Sequence, residues 1–123
     1  MADHDLEDRN ILIVEDDLFI AMDLERALSD AGYMVVGFVP SVARAMAKID
    51  SNRIDAALLD MTLGREMAYA IADRLSDDGI PFIFITGEPQ SVPERHGTRP
   101  VISKPYKAPA VLEALATVMA APA

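Results

Sequence analysis

At 123 residues the chain is long enough for one domain with its own core and no covalent staples. It has no cysteine, which excludes disulfides and thiolate metal sites, and its acids outnumber its bases 20 to 11, a formal charge of −9 that repels nucleic acid and anionic lipid. Lys104 and Lys107 are the nearest approach to a basic patch, no apolar run reaches membrane-span length, and the start MADHDLEDRN is acidic where a secretion signal is basic and apolar, so the expectation is a cytoplasmic protein with neither nucleic-acid nor membrane partners.

Residues 1–9 read as an acidic tail and 10–123 as one domain, with no output domain attached. Asn10 to Val14 is a continuous apolar run, the pattern of a strand buried on both faces. After Glu15, Asp16 and Asp17, the residues Ile20, Leu24, Ala27, Leu28 and Ala31 recur at helical spacing. Asp16 or Asp17 can cap that helix, and Gly32 can end it in the left-handed conformation. A second strand spans Tyr33 to Phe38, and Ser41 can cap a helix carrying Val42, Ala45, Met46 and Ile49. A third strand, Ile54 to Asp60, leads to a helix marked by Met67, Ala68, Ile71, Ala72 and Leu75 and closed by Gly79. The fourth strand, Pro81 to Thr86, is apolar throughout and therefore central. The segment 87–99 is rich in Pro and Gly with little apolar periodicity, so its helix is expected to be short or irregular. Pro100 to Ser103 is a shorter fifth strand, and Lys107 to Ala120 the last helix, with Pro109 tolerated in its first turn.

Strand followed by helix, five times over, predicts an α/β three-layer sandwich with a parallel sheet. All carboxyl ends of such a sheet lie along one edge, where open α/β sheets take ligands. Glu15 and Asp16 follow the first strand, Asp60 ends the third, Thr86 ends the fourth and Lys104 follows the fifth. The flavodoxin-like order 2-1-3-4-5, applied to this chain as the common solution for such sheets, sets the first strand beside the third and brings the three carboxylates together. Crowded carboxylates repel unless a counter-charge is present. Mg²⁺ suits them, because it prefers oxygen ligands and is commonly held by one or two carboxylates and a phosphate. Lys104 offers a point charge to a phosphoryl oxygen, Thr86 a hydroxyl donor, and a carboxylate free of tight pairing can act as nucleophile. Singly these residues have plainer roles: Asp16 or Asp17 as a cap, Asp60 as a turn residue, Thr86 as a β-former, Lys104 as a solvated cation. Their common edge is what joins them.

The motifs ILIVEDD, ALLDMTL, FITG and ISKPY carry a resemblance: from Asn10 to about Met119 the chain resembles a bacterial two-component response-regulator receiver domain, here standing alone. The resemblance implies an acidic pair of Glu15, acting through water, and Asp16, a direct Mg²⁺ ligand. It implies Asp60 as phosphoacceptor and metal ligand, and Thr62 lending its backbone carbonyl to the metal. Thr86 and Lys104 would be the switch hydroxyl and the phosphate-pairing lysine, with a cis peptide between Lys104 and Pro105. The implied function is a single-domain regulator in phosphorelay signal transduction. It takes a phosphoryl group from a sensor histidine kinase or histidine phosphotransferase, catalyses only its own phosphorylation and dephosphorylation, and acts by protein contact or as a phosphate sink, as a monomer or a phosphorylation-dependent dimer.

PFIFITGE also resembles, in part, a subgroup named for a Pro-Phe-x-Phe-Ala-Thr-Gly-Tyr run, with Ile85 for Ala and Glu88 for the final Tyr. The aromatic that many receivers carry three residues before the lysine is Val101 here, and the small residue after the switch threonine is Gly87. The 87–99 loop is therefore expected to reorganise in place of an aromatic rotation. A Mg²⁺-dependent phosphohydrolase working through an aspartyl phosphate would need a second Asp at position 62, which is Thr. A phosphorylation-independent interaction module would have no use for the intact set of Glu15, Asp16, Asp60, Thr86 and Lys104. His4 and His96 are expected to be solvated, Met22, Met34, Met46, Met61 and Met67 to fill the core, and Tyr106 to pack beside the site.

Overall fold

In the computed structural model, which describes residues 9–120, the continuous apolar runs become a sheet and the stretches of 3.6 periodicity become the layers on it. The elements are β1 (Asn10–Val14), α1 (Leu18–Asp30), β2 (Met34–Val39), α2 (Val42–Ser51), β3 (Ala56–Leu59), β4 (Thr62–Leu63), β5 (Glu66–Met67), α3 (Tyr69–Asp77), β6 (Phe82–Thr86), β7 (Val101–Ser103) and α4 (Ala108–Ala120). Five strands pair in parallel in the order β2-β1-β3-β6-β7. Counted among the sheet strands alone, this is the expected 2-1-3-4-5.

The sheet divides the core by strand parity. Leu12, Val14, Ala57, Leu59, Phe82 and Phe84 face α2 and α3, joining Ala45, Ile49, Ile71 and Leu75. Ile11, Ile13, Ala56, Leu58, Ile83 and Ile85 face α1 and α4, joining Leu24, Leu28, Val111 and Leu115. Every residue of β3 and β6 is buried, because helices cover both faces. The expected end signals are also present. Asp17 caps α1 by accepting from the backbone N–H groups of Phe19 and Ile20 at 3.0 and 3.2 Å, and Ser41 caps α2 through Arg44 N–H at 3.2 Å. Gly32, at φ 92°, turns the chain out of α1.

Several expectations need correction. Met67 lies in β5 and α3 starts only at Tyr69, because Thr62–Leu63 and Glu66–Met67 form a small antiparallel hairpin the periodicity did not reveal. Met22 and Met34 are 51% and 59% exposed, whereas Met61 is buried and Met46 and Met67 pack on the core. His96 is 4% exposed, and His4 lies outside the described residues, as does most of the 1–9 tail. The segment after β6 is irregular as expected: it makes two 3₁₀ turns, Pro89–Ser91 and Glu94–His96, and no regular helix. Leu58→Ala, in the middle of β3 at 1% exposure, is expected to destabilise the fold by about 2–5 kcal/mol in urea unfolding.

Candidate phosphoryl-acceptor site

Each polar residue at the carboxyl edge is held by continuation of the strand ladder. Glu15 N–H donates to Val39 O at 3.0 Å, Asp60 N–H to Val14 O at 3.0 Å, and Lys104 N–H to Thr86 O at 2.9 Å. Positions 15, 60 and 104 continue the alternation of Ile13, Leu58 and Ile102, whose side chains lie on the α1/α4 face. Thr86 continues Phe82 and Phe84, on the other face.

Lys104 joins the two buried acids. Its Nζ lies 2.7 Å from Glu15 Oε1 and 2.7 Å from Asp60 Oδ2. The remaining carboxylate oxygens take backbone donors. Glu15 Oε2 accepts from Asp17 N–H at 3.1 Å and Asp60 Oδ1 from Thr62 N–H at 3.2 Å. Asp16, exposed at the mouth, accepts from Gly64 N–H at 2.8 Å. Gly64 and Arg65 are the two-residue loop of the β4–β5 hairpin, and Gly64 takes the φ of 61° that such a turn requires. Gly64 was missed as a site residue. Its signal was Gly-Arg between two residue pairs too short to register as alternation.

The electrostatics show a site short of positive charge. Burial pushes the Glu15 carboxyl up to about 7, against the lowering contacts of Lys104 and Asp17 N–H, and the nearby Asp60 raises it further. The Lys104 ammonium is held above its usual range by its bonds to Asp60 and Glu15, which outweigh its own partial burial. One ammonium thus serves two buried carboxylates, with a third beside them. Carboxylate oxygens of Glu15, Asp16 and Asp60 come within 4.8 Å of one another. The donor set is all oxygen and net negative, which fits a hard divalent cation.

Around this cluster, Thr86 is buried, and its Oγ1 accepts from Glu88 N–H at 3.1 Å. Thr62 Oγ1 is buried with no hydrogen-bond partner. Gly87 is exposed, and Val101 sits 38% exposed on the edge strand β7. The Lys104–Pro105 peptide is cis. Tyr106 does pack beside the site: its hydroxyl donates to Asp23 Oδ2 on α1 at 2.6 Å, and burial with that bond keeps the phenol protonated well above its usual range. His96 was misplaced by sequence reasoning. Its Nε2–H donates to Asp73 Oδ1 at 2.8 Å, and its ring stands edge-on to Phe82 and Phe84.

A family model for the response regulator receiver domain matches residues 11–116. PhyR of Methylorubrum extorquens, a phyllosphere-induced regulator, is 37% identical over 107 residues, which is 79% of this chain and 38% of that protein. The chain spans less than two fifths of the length of the curated relatives it matches. The solution structure of SdrG from Sphingomonas melonis superposes with a TM-score of 0.81 at 42% identity, covering 90% of this chain and 96% of that one. Its BeF3-activated conformation gives 0.75 at 43% identity, covering 89% and 95%. Fold, edge geometry and family match agree, and the chain belongs to the response regulator receiver domain family.

Proposed function

We propose that Asp60 accepts a phosphoryl group from a phosphohistidine on a sensor histidine kinase or histidine phosphotransferase, and that the phosphorylated chain signals by protein contact or drains a relay. The observation that carries this is the Lys104 ammonium 2.7 Å from a buried Asp60 carboxylate at the sheet's carboxyl edge. An Asp60 oxygen attacks the phosphorus, the new O–P bond forms as the P–N bond breaks, and the donor imidazole leaves with the electron pair of that bond. Lys104 is already where charge on a phosphoryl oxygen has to be balanced, so little reorganisation is needed. Thr62 N–H, bonded to Asp60 Oδ1, fixes the carboxylate's rotation.

Asp16, Asp60 and the Thr62 carbonyl would hold Mg²⁺, with Glu15 acting through water. The metal, when bound, neutralises the acidic cluster and phosphoryl charge. Thr86 would turn its hydroxyl from Glu88 N–H toward the new phosphate, releasing the start of the 87–99 segment. The phosphodonor's landing surface is supplied by α1. Phe19 is 83% exposed, Leu18 56% and Met22 51%, beside a depression of about 330 Å³ lined by Phe19, Ile20, Asp23, Lys104, Pro105 and Tyr106. An apolar patch at the mouth of a charged site suits a protein donor better than a small substrate.

Incubation with acetyl phosphate and Mg²⁺ is expected to add one phosphoryl group by intact mass, and Asp60→Asn to abolish it. An adduct that survives in Asp60→Asn, or none in the wild type, refutes the proposal. Phe19→Ala is expected to slow transfer from a phosphohistidine donor about tenfold while leaving acetyl phosphate labelling unchanged. Equal slowing with both donors would remove α1 from the docking surface.

Glu15 sets a pH dependence. Its folded-state pKa of about 7 lies above the ordinary 4.5, so its contribution to stability is complete below 4.5 and is lost as pH rises through 7. Without Mg²⁺, the urea midpoint is expected to fall across that window more steeply in the wild type than in Glu15→Gln. Mg²⁺, which favours the ionised acid, should flatten the wild-type slope.

A further inference from the structure

Among the described residues, four polar or charged side chains are buried: Glu15, Asp60, Thr86 and His96. Three belong to the site. His96 comes from the irregular segment 87–99 and reaches the sheet on the face that carries Thr86. Phe82, Phe84 and Thr86 form one side-chain column of β6, and His96 packs on its lower two members, with ring centroids 5.8 Å from Phe82 and 6.3 Å from Phe84.

The two ends of the segment are tied unequally. At its start, the side-chain hydrogen bond is Thr86 Oγ1 accepting from Glu88 N–H at 3.1 Å, and half-buried Val92 rests on the core. At its far end, α3 holds it by several. Asp73 accepts from His96 Nε2–H at 2.8 Å and from Arg95 Nε and Nη2 at 2.9 and 3.1 Å, and Arg99 Nη2 donates to Ser76 Oγ at 3.3 Å. Arg99 also lies over the Phe82 ring at 4.5 Å. A buried imidazole deprived of its acceptor would leave an unpaired donor among aromatic rings, which is costly. The start is tied to the group proposed to move on phosphorylation; the far end is tied to groups that have no part in the chemistry. Pro89 and Pro93 stiffen the stretch between.

We propose that His96, packed edge-on against Phe82 and Phe84 and held by Asp73, is the fixed far anchor of the 87–99 segment, and that it confines the rearrangement begun at Thr86 to Gly87–Pro93. The anchoring stands on the geometry alone. The confinement rests on the reading of Asp60 as phosphoacceptor. The device gives the segment a defined moving part and a defined stop.

Two measurements test it separately. In the unphosphorylated full chain, Asp73→Ala is expected to speed backbone amide exchange at His96, Gly97 and Arg99 at least tenfold, with β6 amides unchanged. Alanine at that position keeps α3 helical. Arg95→Ala, which spares the His96 bond, is expected to change these rates by less than threefold. Wild-type rates in Asp73→Ala, or equal acceleration through β6, would overturn the anchor. In the wild type, labelled with acetyl phosphate and Mg²⁺ to a confirmed mass adduct, amide NMR signals of Gly87, Glu88, Ser91 and Val92 are expected to shift. Those of His96, Gly97 and Arg99 should hold, as should the imidazole nitrogen shifts of His96. Movement of both groups, or of neither, defeats the confinement. Failure to form the adduct counts against the phosphoacceptor reading, and the Asp73→Ala exchange still decides the anchor.

Discussion

The ammonium of Lys104, shared between Glu15 and Asp60 at 2.7 Å each, is the contact around which the carboxyl edge is organised. Two buried carboxylates at the ends of neighbouring strands would drive the edge apart, or take up protons, without it. The balance is incomplete by design of the residue set: one cation faces two buried acids and an exposed third. Glu15 is pushed up to about 7, chiefly by its burial and in smaller part by the neighbouring Asp60. A site in that condition gains from a divalent cation and from any change that draws Lys104 toward one acid. Phosphorylation of Asp60 would be such a change, since it places more negative charge beside the same ammonium.

What sequence alone made legible follows from the two kinds of regularity a chain can display. The strands could be read because β3 and β6 are buried on both faces and so are apolar without a break. Their carboxyl ends could be read because the apolar run stops at a polar residue, as at Asp60 and Thr86. The helix boundaries at Asp17, Ser41 and Gly32 could be read because capping is local chemistry. The β4–β5 hairpin escaped because two residues per strand are too few to show alternation, and Met67 fell by chance at helical spacing from Ile71. Its consequence, Gly64 N–H bonded to Asp16, therefore escaped as well.

His96 was illegible for a different reason. Its partners Asp73, Phe82 and Phe84 lie 12 to 23 positions away, and nothing about a histidine among Pro, Glu, Arg and Gly marks it as buried. The methionines failed in the opposite sense. Met22 and Met34 are apolar by type, but Met22 lies on the outer side of α1 and Met34 starts the edge strand β2, where no second layer covers it. Composition indicates what can be buried; only the packing of elements decides what is.

On the proposed function, the alternation of the sheet would also separate the chemistry from its transmission. Glu15, Asp60 and Lys104 extend the columns of Ile13, Leu58 and Ile102, whose side chains belong to the α1/α4 layer. The apolar surface of α1, around Phe19, opens on that same side. Thr86 extends the column of Phe82 and Phe84, which belongs to the α2/α3 layer and carries His96. Parity in a strand is fixed by backbone geometry, so the proposed donor over α1 and the loop pinned to α3 would act on opposite faces of one sheet. Thr86 is the site residue that stands on the second face at the root of the 87–99 segment. Any signal that passes from the acceptor to the 87–99 segment by side-chain contact therefore has a short route through Thr86. A single hydroxyl with an exchangeable backbone partner, Glu88 N–H, is enough to serve as the connection.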